Sequence, residues 1–465
     1  MTPLTPLEPW IAARIGQPGR PLDRQLLHRF QRDRLRRTVQ LVRSRAPYYR
    51  RRLAGLPPGT ATWEEFTSYP FTTAADLAAH GRRMLCVGQD EISRVVTADP
   101  LGFLDTSGTT GPPKRLWFTA ADLELTIDFF RVGMSTFTGP GDRVLILLPA
   151  ERPGGVGDLL AAALRRLGAE PVRHGVVDDL DATVDVLHRN RVDVAVGIPV
   201  QVLALARRDP TARLRAVLLS TDHVPTALAR TVEDAWGCTV YNHYGMTETG
   251  LGGGVECRAR RGYHLREADL LVEIVDPATA APVPDGVTAE IVISTLTRTG
   301  MPLLRYRTGD LGRFLPGPCP CGTTLRTLER VTRRVAGVHT TAAGAPLALA
   351  DLDEAVFARP GVVDVTATLI RTRAGDRLDV TVHTVPARPA AAPGRSGGPS
   401  PDATAPGAAE PSPQALRQTL REALQTIPAL AGDPATAPHL RIRVRPGTAA
   451  PAPAKRRMKV VDSDA

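Results

Sequence analysis

The chain has 465 residues, 43% of them hydrophobic, and a formal charge of +10 at neutral pH. Its 58 basic residues are 55 Arg and only three Lys, and residues 1–52 alone hold 13 Arg against three acidic residues. The excess charge thus sits at one end, which excludes a basic surface spread out for nucleic acid, and no apolar run approaches the roughly 20 residues that span a bilayer.

The opening Met1-Thr-Pro-Leu-Thr-Pro-Leu-Glu-Pro-Trp10 lacks a basic-then-apolar leader, so a cytoplasmic, reducing setting is expected. The five Cys then read as thiols or metal ligands rather than disulfides. Residues 22–45 read as an amphipathic helix, with Leu26, Leu27, Phe30, Leu35, Val39 and Val42 on one face and Arg on the other, ending at Ala46-Pro47.

Asp105-Thr-Ser-Gly-Thr-Thr-Gly-Pro-Pro-Lys114 follows a strand-like stretch and precedes a helix. Gly108 and Gly111 let the backbone turn its N–H groups inward, Ser107, Thr109 and Thr110 add hydroxyl donors, and Lys114 adds a point charge. Together they suit a polyphosphate. A Walker A loop is excluded, because Pro113 precedes Lys114 and Arg115 follows it.

From about residue 120 to 250 strands and helices alternate: Arg143–Leu148, Val156–Leu167, Val192–Val196, Val200–Ala206 and Ala216–Leu219. That texture predicts an α/β domain with a largely parallel sheet. After residue 265 strands dominate, at Leu270–Val275, Thr288–Ser294 and Arg313–Leu315. Residues 386–413 hold no Leu, Ile, Val, Met or aromatic residue and are expected to be a disordered loop. A strand (Leu378–Val385) precedes it; a helix (Gln414–Ile427) and a strand (Leu440–Val444) follow. The reading is a large N-terminal α/β domain with a β-rich subdomain, residues 1–334, and a small mobile C-terminal α+β domain, residues 335–465.

Cys257, His264, Cys319 and Cys321 form two clusters, Cys-x6-His and Cys-x-Cys, with Pro320 and Gly322 shaping a tight turn. Four such ligands fit a closed, structural Zn²⁺ site; free buried thiols are the alternative. Cys86 and Cys238 are isolated and read as core.

The loop at 105–114 resembles the phosphate-binding signature of the adenylate-forming (acyl-activating) superfamily. Tyr241-Asn-His-Tyr-Gly-Met-Thr-Glu248, Arg305-Tyr-Arg-Thr-Gly-Asp310-Leu and Glu329-Arg-Val-Thr-Arg-Arg334 resemble three more of its motifs, in the same order. Ala46-Pro-Tyr-Tyr-Arg-Arg-Arg52, Pro70-Phe-Thr-Thr73 and Gly317-Pro-Cys-Pro-Cys-Gly322 are similar to the phenylacetate–CoA ligase-like branch.

The resemblance implies a two-step ligase. A small, aromatic-type carboxylic acid attacks ATP to give acyl-AMP and pyrophosphate, and coenzyme A then displaces AMP. It implies that Glu248 holds Mg²⁺ beside Thr247, that Asp310 and Arg334 meet the ribose, and that Asn242, Tyr244, Gly245 and Asp222 of the Ser220-Thr221-Asp222 turn lie near adenine. A C-terminal lysine completes the family's adenylation site. Here Lys455 fits it best and Lys459 is the alternative, the register being one residue off. Lys suits the task as a compact charge on a flexible stem.

The chain departs from the pattern after Arg334, where Val335-Ala336-Gly337 stands in place of the usual acidic hinge residue. That departure bears on the thioester half-reaction more than on adenylation. Phe129, Phe130, Ile198 and Val200 are candidates for the acyl pocket. Loading of a separate carrier protein and a non-catalytic nucleotide-binding scaffold are the competing readings, and a homodimer is left open.

Overall fold

Asp23 starts the long N-terminal helix by accepting hydrogen bonds from the backbone N–H groups of Gln25 and Leu26, and extended Ala46 ends it before Pro47. In this computed structural model the described residues are 2–57, 63–97, 114–373, 375–388, 412–431 and 437–463. Ser107, Gly108, Thr109, Thr110 and Gly111 of the phosphate loop, and residues 389–411 of the expected disordered loop, lie outside them. Helix α1 (Arg24–Arg45) buries Leu27, Leu35, Val39 and Val42 as its pattern predicts, and adds Gln31 and Thr38, which bond to the carbonyls of Glu267 and Leu296. Arg29, Arg32, Arg37 and Arg45 face outward, whereas Arg24 bonds to Glu267 and Arg43 to the carbonyls of Leu56 and Pro57.

Helix α2 (Ala120–Met134) opens with a capping box between Thr119 and Asp122. Asp122 also accepts from the backbone of Thr299 at 2.9 Å and Gly300 at 3.1 Å, tying α2 to the later β segment. The chain then alternates through β1 (Arg143–Leu147), a helix at Val156–Leu167, β2 (Glu170–Arg173), a helix at Leu180–Arg189, β3 (Val194–Gly197), α3 (Pro199–Arg208), β4 (Ala216–Leu219), α4 (Thr226–Trp236) and β5 (Thr239–Tyr244). These five strands are parallel, in the doubly wound order 2-1-3-4-5. Val144, Leu145, Ile146 and Leu147 are fully buried, as a strand covered on both faces requires. The expected α/β class is therefore observed.

Beyond β5 the sheet continues with short antiparallel strands at Gly254–Glu256, Tyr263–Leu265 and Thr327–Leu328. A second, antiparallel sheet runs Leu270–Val275, Ala289–Thr295, Tyr306–Gly312 and Arg333–Arg334. The strand expected at Arg313–Leu315 is shortened to a bridge: the ladder with Ala289–Thr295 ends at Gly312, and Phe314 pairs antiparallel with Leu328 between the backbone hydrogen bonds Leu315 N–Thr327 O (2.8 Å) and Glu329 N–Arg313 O (2.9 Å). Phe314 packs inward and Leu315 is half-buried.

Helix α5 (Leu349–Phe357) and a helix at Pro413–Leu424 accompany a C-terminal sheet ordered His439–Pro446, Gly375–Thr384, Val362–Thr372, Lys459–Asp462. This α+β portion rests on α3 and α4. Gln201 donates to the carbonyl of Pro451 at 2.9 Å, and Arg207 to that of Arg359 at 2.9 Å. No helix among the described residues is long and apolar enough to cross a membrane.

Candidate nucleotide and acyl site

The carboxyl ends of parallel strands are where open α/β sheets bind ligands, and two sequence motifs converge there. Glu248 lies in a short 3₁₀ turn just after β5 and is 4% exposed. Its Oε1 accepts from Lys114 Nζ at 2.8 Å and from the Tyr306 hydroxyl at 2.8 Å. Burial by itself would raise the pKa of this carboxyl. The adjacent Lys114 ammonium and the Tyr306 hydrogen bond outweigh burial and hold it below the usual carboxylate range. Burial and the Glu248 charge push Tyr306 the other way, so its phenol stays protonated and donates. Three segments, 134 and 58 residues apart in sequence, thus meet at one carboxylate oxygen.

Asp310 forms a second node. Tyr244 donates its hydroxyl to Asp310 Oδ2 at 3.0 Å, and Arg334 Nε lies 3.1 Å from Oδ1. The pairing of Asp310 with Arg334 across the antiparallel ladder sets this geometry. Burial, then the neighbouring Asp310 charge, raises the Tyr244 phenol well above its ordinary range, so it too remains a donor. Gly245 follows Tyr244 where nothing larger fits. A Cβ there would lie 2.5 Å from the Leu251 carbonyl oxygen and 2.6 Å from His243 Cε1.

The Ser220-Thr221-Asp222 turn follows β4, with Thr221 at φ +78°, a left-handed conformation that a β-branched residue adopts only under constraint. Asn242 is brought near but is 1% exposed, its amide donating to Glu256, which pairs in turn with Arg330. The Asn242 Oδ1 has no hydrogen-bond partner among the described residues. Lys455 is exposed and stands next to Arg456, whose backbone N–H lies 3.4 Å from Asp222 Oδ2. Lys459 is exposed as well, but it is fixed in the C-terminal sheet, in register with Thr368.

The four acyl-pocket candidates, Phe129, Phe130, Ile198 and Val200, are all buried. The rings of Phe129 and Phe130 flank His243 at 6.1 and 6.0 Å, and Ser220 Oγ lies 2.8 Å from His243 Nδ1. Burial, then the Arg266 charge, drives His243 down to about 4, so the imidazole is neutral. Sequence reading passed over His243, Tyr306 and Arg456. Tyr306 stood in a quoted motif without a role. Arg456 sat in a basic tail whose members look alike until their partners are known.

Cys257, His264, Cys319 and Cys321 come together as the spacing suggested, all buried, with their ligand atoms within 4.8 Å of one another. Cys257 Sγ and Cys319 Sγ are 3.7 Å apart, too far for a disulfide. Cys321 Sγ and His264 Nε2 are 3.5 Å apart, and His264 Nδ1 faces the Arg326 carbonyl at 3.4 Å. Cys86 is buried as expected, and Cys238 is half-buried.

Residues 54–298 match the family model for AMP-binding enzymes. The phenylacetate–coenzyme A ligase of Thermus thermophilus is 32% identical over 322 residues, 65% of this chain and 69% of the relative. The chain belongs to the AMP-binding enzyme family. Within it, the chain falls in the phenylacetate–CoA ligase-like branch. The Pseudomonas putida phenylacetate–coenzyme A ligase is 29% identical over 325 residues, 66% of this chain and 70% of the relative. The fold of this AMP-binding enzyme is also that of 2-hydroxyisobutyryl-CoA ligase, solved in its postadenylation state with 2-HIB-AMP (TM-score 0.75, 21% identity, 94% of this chain and 90% of that one).

Proposed function

We propose that this ligase activates a small aromatic carboxylic acid with ATP, forming acyl-AMP and pyrophosphate, and then transfers the acyl group to coenzyme A with release of AMP. The observation that carries the reading is the double node at the strand ends, Lys114–Glu248–Tyr306 beside Tyr244–Asp310–Arg334. Attack of a carboxylate oxygen on the α-phosphorus builds negative charge, which oriented cations and donors stabilise. Asp310 accepts the ribose hydroxyls, with Arg334 on the same carboxylate. Lys114 extends from the end of the phosphate loop toward the phosphates, and Lys455 meets the substrate carboxylate and α-phosphate. Two placements support Lys455 over Lys459: its neighbour Arg456 is bound at the Asp222 turn, while Lys459 is held in a strand. Phe129, Phe130 and His243 line the acyl end.

Two metal ions belong to the proposal. Glu248 is a hard oxygen ligand fit for Mg²⁺, with both of its side-chain hydrogen bonds to other residues falling on Oε1. Bound Mg²⁺ neutralises charge on the phosphates. The Cys257–His264–Cys319–Cys321 cluster fits Zn²⁺. A tetrahedron with Zn–S bonds of about 2.3 Å has S···S edges of about 3.8 Å, close to the 3.7 Å between Cys257 and Cys319. The His264 Nδ1 contact with Arg326 is the kind of outer contact that orients a ligating imidazole. Metal analysis of the purified protein is expected to find about one zinc per chain, lowered in Cys319→Ser together with the melting temperature. A metal-free wild type overturns the zinc assignment.

Pyrophosphate release across a panel of aryl, arylacetic and aliphatic acids, with and without coenzyme A, tests the reaction. Release with aryl acids and consumption of coenzyme A is expected. Release that never consumes coenzyme A points instead to a separate carrier, and no release with any acid removes the catalytic reading.

A further inference from the structure

Arg456 belongs to none of the motifs assigned above, yet its side chain is 7% exposed and meets carboxylates from two distant parts of the chain. Nη1 and Nη2 reach the two oxygens of Asp353 on α5 at 2.8 and 3.0 Å, a bidentate fork. Nε reaches Asp222 Oδ2, on the turn after β4, at 3.1 Å. The Phe357 ring centre lies 5.1 Å from the guanidinium carbon. Asp353 is 1% exposed, and His223 Nε2 stands 3.9 Å from its Oδ2. Beside Asp353, Glu354 accepts the backbone N–H groups of Thr226 at 2.6 Å and Ala227 at 2.9 Å, in the first turn of α4.

The two halves of this arrangement are unequal. Arg456 and Asp353 both belong to the C-terminal α+β portion, so their fork can persist wherever that portion sits. The contact with Asp222 crosses to the nucleotide side, as do those of Glu354 with Thr226 and Ala227 and of Gln201 with Pro451, but it is the crossing contact one residue from Lys455. The guanidinium is aimed by the Asp353 fork and the Phe357 ring, so Asp222 meets a preorganised cation. Lys455 is the next residue in the chain, and wherever Arg456 is fastened, Lys455 is delivered.

We propose that Arg456 is the positioning residue of the adenylation step: held by Asp353, it docks the C-terminal portion on Asp222 and thereby sets Lys455 at the acyl-adenylate centre. This rests on the function proposed above and adds to it a residue that acts through another. The thioester step, which needs a different placement of the same portion, does not use the Asp222 contact.

The test measures the two half-reactions apart: pyrophosphate release from ATP and acid, and AMP release from supplied acyl-AMP and coenzyme A. Arg456→Ala is expected to slow the first by a factor on the order of 10² through kcat more than KM, and to leave the second within about threefold. Arg456→Lys, which keeps the charge and loses the fork, should recover part of the loss. Arg456→Gln, which removes the charge and leaves Asp222 in place, should show the same split, and it carries the test if Arg456→Ala does not fold. Parallel loss of both half-reactions in Arg456→Gln and Arg456→Lys, or loss of neither, overturns the proposal. Lys455→Ala separates the two readings. If it retains pyrophosphate release while the Arg456 variants lose it, the Lys455 assignment falls and the docking role stands. If it alone loses release, the docking role falls.

Discussion

Glu248→Gln should lower kcat for pyrophosphate release by about 10²–10³-fold, the cost of losing one preorganised charge contact in a dry site, with little change in fold. Glutamine has nearly the same shape and can still accept from Tyr306, so the hydrogen bond survives and the charge does not. Lys114 Nζ, 2.8 Å away, then faces a neutral oxygen in a largely buried setting. The apparent requirement for Mg²⁺ should rise in the same variant, and a Mg²⁺ titration of pyrophosphate release reads it directly. A variant that keeps the wild-type rate and Mg²⁺ response removes Glu248 from the phosphate chemistry. The pH dependence has a definite sign. Because the Glu248 pKa is lowered in the folded state, its contribution to stability is complete above the ordinary value of 4.5 and is lost as pH falls through the lowered one. Its ionisation therefore does not limit the rate near neutrality.

Lys455→Ala is expected to cost a comparable amount, about 10²–10³-fold in acyl-AMP formation, and to spare thioester formation from supplied acyl-AMP. The asymmetry follows from the chemistry. A compact ammonium is useful where a carboxylate and an α-phosphate, both anionic, must approach each other. It has no such task once they are joined. Lys459→Ala serves as the internal comparison, since that residue is held in register with Thr368 and should leave both half-reactions nearly unchanged. Equal loss of both half-reactions in Lys455→Ala would count against its assignment.

Residues whose identity alone restricts their use were legible in the sequence. Three lysines among 58 basic residues drew attention to Lys114 and the C-terminal pair, and Lys114 does stand on Glu248. The alternation of apolar runs gave β4 at Ala216–Leu219 and the helix at Val156–Leu167 to the residue, because parallel strands buried on both faces leave unmixed apolar runs. The four metal-ligand candidates were legible for the same reason, as few other arrangements place Cys and His in two tight clusters. Partners were not legible where many equivalents compete. Among 55 arginines nothing marked Arg456 as buried, because its burial depends on Asp222 and Asp353, which lie 234 and 103 residues away in sequence. The pairing at Arg313–Leu315 proved shorter than the strand expected there, because how far a ladder runs depends on its partner, here residues 327–329, and not on the local pattern.

The Cys257–Cys319 contact closes an excursion of the chain 62 residues long. The strands between those thiols are all antiparallel, and near the end of the excursion stand Tyr306 and Asp310, the partners of Glu248 and Tyr244. Asp310, proposed above to meet the ribose, is thus carried on an excursion whose two ends meet at the proposed zinc site. If zinc joins those ends as proposed, a chelator that removed it would slacken the excursion and be felt at Asp310 from a distance, so a loss of activity on chelation would not by itself place a thiol in the reaction.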